Sequence, residues 1–273
     1  MENNHLQKII ETKKTRVEKY QKRENNLDDL NEKIKEYTKF IDFKKTIENN
    51  ISKNKISLIA EIKKASPSAG LIVKDYKPVD IASIYYKKKA TCLSVLTEEK
   101  NFKGKIEDIQ DIKKEVKLPI LCKDFIYDEY QLYLARAFGA DAILIILKGV
   151  GQYRALGLRM LAKVLGLAVI YEVHSSLEAE QITGMEDVIL GINNRNLETL
   201  ETNIKNTFDV YNNVLSKKKH PGPIVCESGI KSEKEVEEIV KHTKINNFLI
   251  GESLLKDLDK KNSLLQRILK ITP

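Results

Sequence analysis

The chain is predicted to fold as a (β/α)₈ barrel, and three observations carry that expectation. Beyond residue 55, eight short apolar runs recur at intervals of roughly 20 to 35 residues. The runs are continuous, which suits parallel strands covered on both faces. The stretches between them place apolar residues at helical spacing. An open doubly wound sheet is the alternative, but no G-x-G-x-x-G follows the first run. Eight βα units in about 215 residues favour the closed ring.

Residues 1–50 precede the first run with three polar or amphipathic helical segments, LQKIIETKKTRVEKYQKRE, LDDLNEKIKEY and FIDFKKTIENN. No Pro/Gly linker sets them apart, so they are expected to be a helical extension packed on the barrel. Leu6, Ile9, Ile10 and Val17 form its docking stripe. Residues 51–273 form the barrel as a single domain. Its strands are expected at LIAEI (from Leu58), CLSVL (Cys92), PILCK (Pro119), AILIIL (Ala142), AVIYE (Ala168), VILGIN (Val188), PIVCE (Pro223) and NFLIG (Asn247). Helices are expected at VDIASIYYKKKA, DEYQLYLARAFG and YRALGLRMLAKVLG, with Gly139 and Gly166 closing the last two. Ser232 and Glu235 open SEKEVEEIVKHT with the spacing of a capping box.

Composition excludes several classes. At 42% hydrophobic the chain can bury a substantial core, and no run approaches the roughly 20 apolar residues of a membrane span. The N-terminus, MENNHLQKIIETKK, has no apolar signal core, and its acids argue against a transit peptide. Folded structure is therefore expected from near Met1. The formal net charge of +8 comes from lysines scattered among acids, Asn and apolar residues, which reads as a solvated surface. Base-stacking aromatics on one basic face are not evident, so no nucleic-acid partner is expected. Cys92, Cys122 and Cys226 each sit inside an apolar run without a CxxC pair or a spaced His. They read as small buried hydrophobes in a reducing compartment, not as metal ligands. His5, His174, His220 and His242 lie in polar surroundings and receive no role.

The strand ends carry the chemistry. Side chains alternate along a strand, so Glu61 and Lys63 point the same way at the end of an apolar run. Buried in a core, such a pair would cost several kcal/mol. Other strands end alike: Lys123 on the third, Glu172 on the fifth, Asn193 with Arg195 on the sixth, Glu227 and Ser228 on the seventh. Any one could simply be leaving the sheet. Together they describe a barrel mouth, where active sites of this fold are built and where crowded charges shift one another's pKa values. ESGI and IGES put Gly229 and Gly251 after the seventh and eighth strands, where barrels commonly bind phosphate.

The segments LIAEIKKASPSAG, LSVLTEEKNFKG, PILCKDF, EVH, GINNRNLET, CESGI and FLIGESLL resemble, in order, the signature segments of indole-3-glycerol phosphate synthase. The likeness runs from about residue 5 to the C-terminus, and its wording is closest to plant and cyanobacterial forms. The resemblance implies a step of tryptophan biosynthesis. In that step 1-(2-carboxyphenylamino)-1-deoxyribulose 5-phosphate closes to an indole with loss of carbon dioxide and water, without metal or organic cofactor. Carried over residue by residue, Lys123 resembles the general acid of ring closure and Glu172 the carboxylate that handles the proton in dehydration. Lys63 would hold the substrate carboxylate or share the acid role, and Glu61 would orient and balance it. Asn193, Arg195 and Glu227 match the network that positions hydroxyls and carboxylates. Ser66, Ser228, Gly229, Gly251 and the Glu252 amide match the phosphate site. Phe102, Phe125, Leu144, Leu197, Ile230 and Leu249 match the apolar pocket for the aromatic ring.

Three departures from the family are visible. YKKKATC stands where many relatives have Gly-Gly-Ala before the second strand, a change expected to touch helix packing only. LKGVGQYRALGLRM lacks the acids usual after the fourth strand, implying an altered surface. Glu252 replaces a frequent Ser, so any phosphate contact there must use its backbone. The competing readings are another phosphate-binding barrel, such as phosphoribosylanthranilate isomerase, and a non-catalytic nucleic-acid binder with steep salt dependence. The resemblance implies a phosphorylated small molecule as partner, no membrane, and a monomer or weak homodimer. The cytoplasm is the expected location, with the plastid stroma as alternative. The chain ends soon after the eighth strand and its helix, so no fused second barrel is expected.

Overall fold

The structure, a computed structural model, describes residues 5–23 and 26–273. The expectation of order from Met1, and the helical reading at Glu24, fall outside the described residues, as does the side chain of His5. Eight parallel strands close a barrel: β1 (Ser57–Ile62), β2 (Cys92–Leu96), β3 (Ile120–Lys123), β4 (Ala142–Ile146), β5 (Ala168–Val173), β6 (Val188–Asn193), β7 (Ile224–Glu227) and β8 (Asn247–Ile250). Each lies on its expected run to within a residue or two at either end. Pairing runs in chain order and closes through Ile59 opposite Leu249 on β8 and opposite Cys92 on β2.

The alternation of each strand builds two cores. Leu58, Ala60, Leu93, Val95, Ile143, Ile145, Leu190 and Phe248 face outward onto the helices. Ile59, Cys92, Leu121, Leu144, Ile170, Ile189, Val225 and Leu249 fill the barrel. All three cysteines are buried and free, as small hydrophobes.

The helices are α1 (His5–Arg23), α2 (Leu27–Glu36), α3 (Phe43–Ile51), α4 (Pro78–Lys87), α5 (Glu107–Glu115), α6 (Glu129–Ala137), α7 (Leu147–Val150), α8 (Gln152–Val164), α9 (Ser176–Ile182), α10 (Lys205–Val210), α11 (Glu233–Thr243), α12 (Glu252–Leu255) and α13 (Leu264–Ile268). Gly139 and Gly166 follow α6 and α8 at φ 94° and 66°, the left-handed turn that stops a helix. Ser232 and Glu235 form the expected capping box of α11. The third helix begins later than FIDF implied, because the Asp42 carboxylate accepts from the Lys45 amide at 2.8 Å and caps it there. Lys89 adopts φ 68° after α4, a left-handed turn that ends the helix. The acid-poor segment after β4 becomes α7 and most of α8, and the solvent side of α8 exposes Tyr153, Leu156, Met160 and Val164.

Helices α1 to α3 pack against the barrel. Phe43 and Ile47 of α3 join the interior core, and Asn50 donates to the Ile56 carbonyl ahead of β1 at 3.3 Å. On α1, Leu6, Ile10 and Val17 are buried as the stripe required. Ile9 is only half-buried and lines a cavity beside Phe102 and Phe125. No helix among the described residues is long and apolar enough to cross a membrane.

Candidate active site

The inward side chains at the strand C-termini converge. Lys63 follows β1, and its Nζ lies 2.5 Å from Oε1 of Glu61, so the two do share a face. Lys123 at the end of β3 reaches Glu61 Oε2 at 3.5 Å and Glu227 Oε2 at 2.9 Å. Glu172 on β5 acts electrostatically on Lys123 and accepts a hydrogen bond from Asn193 on β6. Asn193 Oδ1 accepts from the Arg195 amide at 2.9 Å, leaving its amide nitrogen to donate. Arg195 reaches across the mouth to Ser68 Oγ at 3.0 Å, tying the β6 loop to the small hairpin Ala65–Ser66 with Gly70–Leu71 after β1.

These charges are deeper than a solvated rim. Glu61, Lys63, Glu172 and Asn193 are buried, and Glu227 has no exposed surface at all. Two glycines make that depth possible. A Cβ on Gly251 would stand 2.2 Å from Glu61 Oε1, and one on Gly191 would stand 2.3 Å from Glu227 Oε1. Bare backbone on β6 and after β8 opens the space that the carboxylates fill.

Burial opposes every charge here, and the neighbours decide the outcome. Burial alone would lower Lys123, but Glu227, Glu61 and Glu172 outweigh it and hold its ammonium above the usual range. Burial would raise Glu61, yet Lys63 and Lys123 hold it below the carboxylate range. Burial would also raise Glu172, which His174, Lys123 and Asn193 hold low. For Glu227, burial joined by the charges of Glu172 and Glu61 prevails over Lys123 and pushes the group up. Its Oε1 has no hydrogen-bond partner, consistent with that direction. Carboxyls pushed apart in one mouth are what proton transfer requires.

Two cavities open on this cluster. The larger, about 440 Å³, is lined by Lys63, Arg195, Ser228, Gly229, Ile230, Lys231, Leu249, Gly251, Glu252 and Lys256 among others. Ser228 and Gly229 take φ 64° and 79°, a left-handed pair of a kind that often turns backbone N–H groups toward an anion. The smaller, about 100 Å³, is lined by Leu96, Phe102, Phe125, Leu144, Ile146 and Leu197, with Lys63, Lys123, Glu172 and Asn193. Phe102 and Phe125 stand with ring centroids 6.2 Å apart. Ser66 lies beside the two, on a third small cavity with Phe102, Phe125 and Arg195. Ile230 and Leu249 line the larger cavity, away from the aromatic side where the resemblance put them. Glu227 lines neither and acts from behind Lys123.

Some participants were not anticipated. His174, given no role, is buried with Nε2 3.1 Å from Glu172 Oε1. The signal was present: Glu172 and His174 are two apart in EVH, the same alternation that pairs Glu61 with Lys63. His220 is also buried, 3.4 Å from the Val188 carbonyl, while His242 is exposed on α11. Lys13 of α1 pairs with Asp124, the neighbour of Lys123, at 2.7 Å; nothing local in the sequence marks it.

A family model for indole-3-glycerol phosphate synthase matches residues 6–266. The chain is 37% identical over 265 residues to the indole-3-glycerol phosphate synthase of Trichodesmium erythraeum, covering 96% of this chain and 88% of that one. Its counterpart from Prochlorococcus marinus subsp. pastoris is 39% identical over 264 residues, covering 95% and 88%. That of Polynucleobacter necessarius is 39% identical over 267 residues, covering 94% and 96%. Among solved structures, tryptophan synthase subunit alpha from Legionella pneumophila superposes with a TM-score of 0.60 over 83% of this chain and 96% of that chain. At 16% identity this shows the shared barrel fold alone. Carrying a family match over nearly its whole length and relatives near 40% identity, the chain belongs to the indole-3-glycerol phosphate synthase family.

Proposed function

We propose that this chain closes 1-(2-carboxyphenylamino)-1-deoxyribulose 5-phosphate to indole-3-glycerol phosphate, releasing carbon dioxide and water. The observation that carries this reading is a single mouth in which Lys63, Lys123, Glu61 and Glu172, with Glu227 behind Lys123, meet between an aromatic-lined cavity and a larger polar one. The substrate is built the same way, with an aryl carboxylate at one end and a phosphate at the other. The aryl ring belongs between Phe102, Phe125, Leu144 and Leu197, and the phosphate beside Ser66, Ser228, Gly229, Gly251 and the Glu252 amide. The ring carbon bearing the carboxylate attacks the ketone carbon, and Lys123 protonates the carbonyl oxygen. Carbon dioxide leaves, and its bonding electrons restore the aromatic ring. The new hydroxyl departs as water with a proton from Lys63, which first holds the substrate carboxylate, while Glu172 takes the proton whose loss forms the double bond. Glu61 holds Lys63 in place, Glu61 and Glu227 keep Lys123 cationic, and Asn193 with Arg195 orients the substrate hydroxyls and Glu172. The partner of this site is a small phosphorylated molecule handled in the cytoplasm.

Purified chain supplied with authentic substrate should develop indole fluorescence, and a flat trace at neutral pH would overturn the reading. Lys123→Ala should fold with an unchanged circular dichroism spectrum and lose at least about 10²-fold in kcat, the lower range for a general acid. Near-normal turnover in that variant would remove Lys123 from the role.

A further inference from the structure

The catalytic reading assigns Glu172 a proton-transfer role but leaves its neighbour His174 unused. The ring of His174 follows β5, and its side chain is 10% exposed. Nε2 lies 3.1 Å from Glu172 Oε1, and Nδ1 lies 3.7 Å from Glu178 Oε2. Glu178 is itself fastened. Its Oε2 accepts the His174 amide at 2.8 Å, and its own amide donates to Ser175 Oγ at the start of α9 at 3.3 Å. Neither ring nitrogen is aligned for a directed hydrogen bond, so the link is one of charge at short range. Further groups act on the two carboxylates. Lys123 and Asn193 act on Glu172 from β3 and β6, and Lys148 of α7, paired with Glu198 at 2.8 Å, acts on Glu178. Two acids touching one buried imidazole favour its cation.

We propose that His174, as an imidazolium bridging Glu172 and Glu178, is a positioning residue that holds Glu172 as a carboxylate aimed into the mouth. The proposal rests on the proton-transfer role given to Glu172 above. A tether from α9 through the ring to β5 fixes the carboxylate from behind, leaving its front free for Asn193 and substrate. Burial opposes the ring's charge, but Glu172 and Glu178 outweigh it and raise His174 to about 9, so the bridge stays charged at neutral pH. The sign for catalysis follows. With the cation gone, Glu172 binds a proton at higher pH, and the acid limb of kcat moves upward.

The test has two arms. In the first, the His174 imidazole is titrated by NMR in the ligand-free protein, which needs no turnover. Its midpoint should lie above about 8 and fall by roughly one unit in Glu178→Gln, whereas a midpoint at or below the ordinary value of about 6.5 would sink the bridge. In the second, His174→Gln should lower kcat about tenfold and raise the acid limb by about one pH unit, with KM changed less than about twofold. Glu178→Gln should move the limb the same way by less. An unmoved limb, or a loss of thermal stability with the profile intact, would make His174 structural only. Should the chain fail to turn over the substrate at all, the ring-closure reading falls while the titration still decides on the bridge.

Discussion

At the residue scale, Glu252 shows how a side chain can oppose the ligand of its own site and be kept in check. It stands on the wall of the larger cavity, and its carboxylate would repel a phosphate there. Lys256, one turn on, holds Glu252 Oε1 at 2.5 Å and, with lesser help from Lys63 and Arg195, keeps the carboxyl below its usual range. Glu252→Ser would remove the repulsion and free the Lys256 ammonium to face the anion. Lys256 is exposed and Glu252 partly so, and screening reduces the gain to roughly two- to fivefold tighter inorganic phosphate binding, read by calorimetry at low salt. Lys256→Met should weaken binding by a similar factor. If Glu252→Ser binds phosphate no more tightly, the carboxylate does not face the anion.

At the element scale, α1 acts as a strap across the mouth. Lys13 is buried between Asp124 at 2.7 Å and Glu99 at 3.2 Å, and Arg16 adds a second contact to Glu99 at 2.9 Å. Thr97 Oγ1 donates to the same Asp124 carboxylate at 2.7 Å, so one helix gathers the loops after β2 and β3. Burial would lower Lys13, but the two acids outweigh it and hold the ammonium well above its ordinary range. Lys13→Ala leaves the Asp124 carboxylate buried without its cation, a change that typically costs about 3 to 5 kcal/mol. Urea unfolding should show that loss, and kcat should fall with it because Asp124 adjoins Lys123. Lys13→Met paired with Asp124→Leu removes both charges and should recover much of the stability but not the activity. A stable, fully active Lys13→Ala would show that α1 does not hold the loops.

At the scale of the whole molecule, the barrel was legible because each strand repeats one rule: outward apolar residues, inward apolar residues, then a polar inward end. That rule located Glu61, Lys63, Lys123, Glu172, Asn193 and Glu227 without any tertiary information. It did not locate Lys13 or Asp124, whose pairing spans 111 residues and leaves no periodic trace. It also left open which cavity Ile230 and Leu249 line, since alternation gives a face but not a neighbour. The hairpin after β1 and the π-helix Tyr211–Leu215 were invisible for a related reason: short irregular pieces are set by what they pack against. The division at residue 50 was read from polarity, and the packing bears on what that division means. Leu6, Ile10, Val17, Leu30, Phe43 and Ile47 share one buried cluster with the strand residues inside the barrel. Arg136 of α6 lies over the Phe40 ring, and Lys33 of α2 lies 5.4 Å from the Phe138 ring centroid. A segment that supplies part of the core it rests on has no separate core to melt around. We therefore expect residues 1–50 and the barrel to unfold as one cooperative unit. The chain has 11 tyrosines and no tryptophan, so tyrosine near-ultraviolet dichroism reports packing while far-ultraviolet dichroism reports helix. The two urea curves should coincide in the full chain, and Lys13→Ala should shift both midpoints together. An early far-ultraviolet step that leaves the tyrosine signal intact would mean that the extension melts off a self-sufficient barrel, and would make the strap an accessory to the fold.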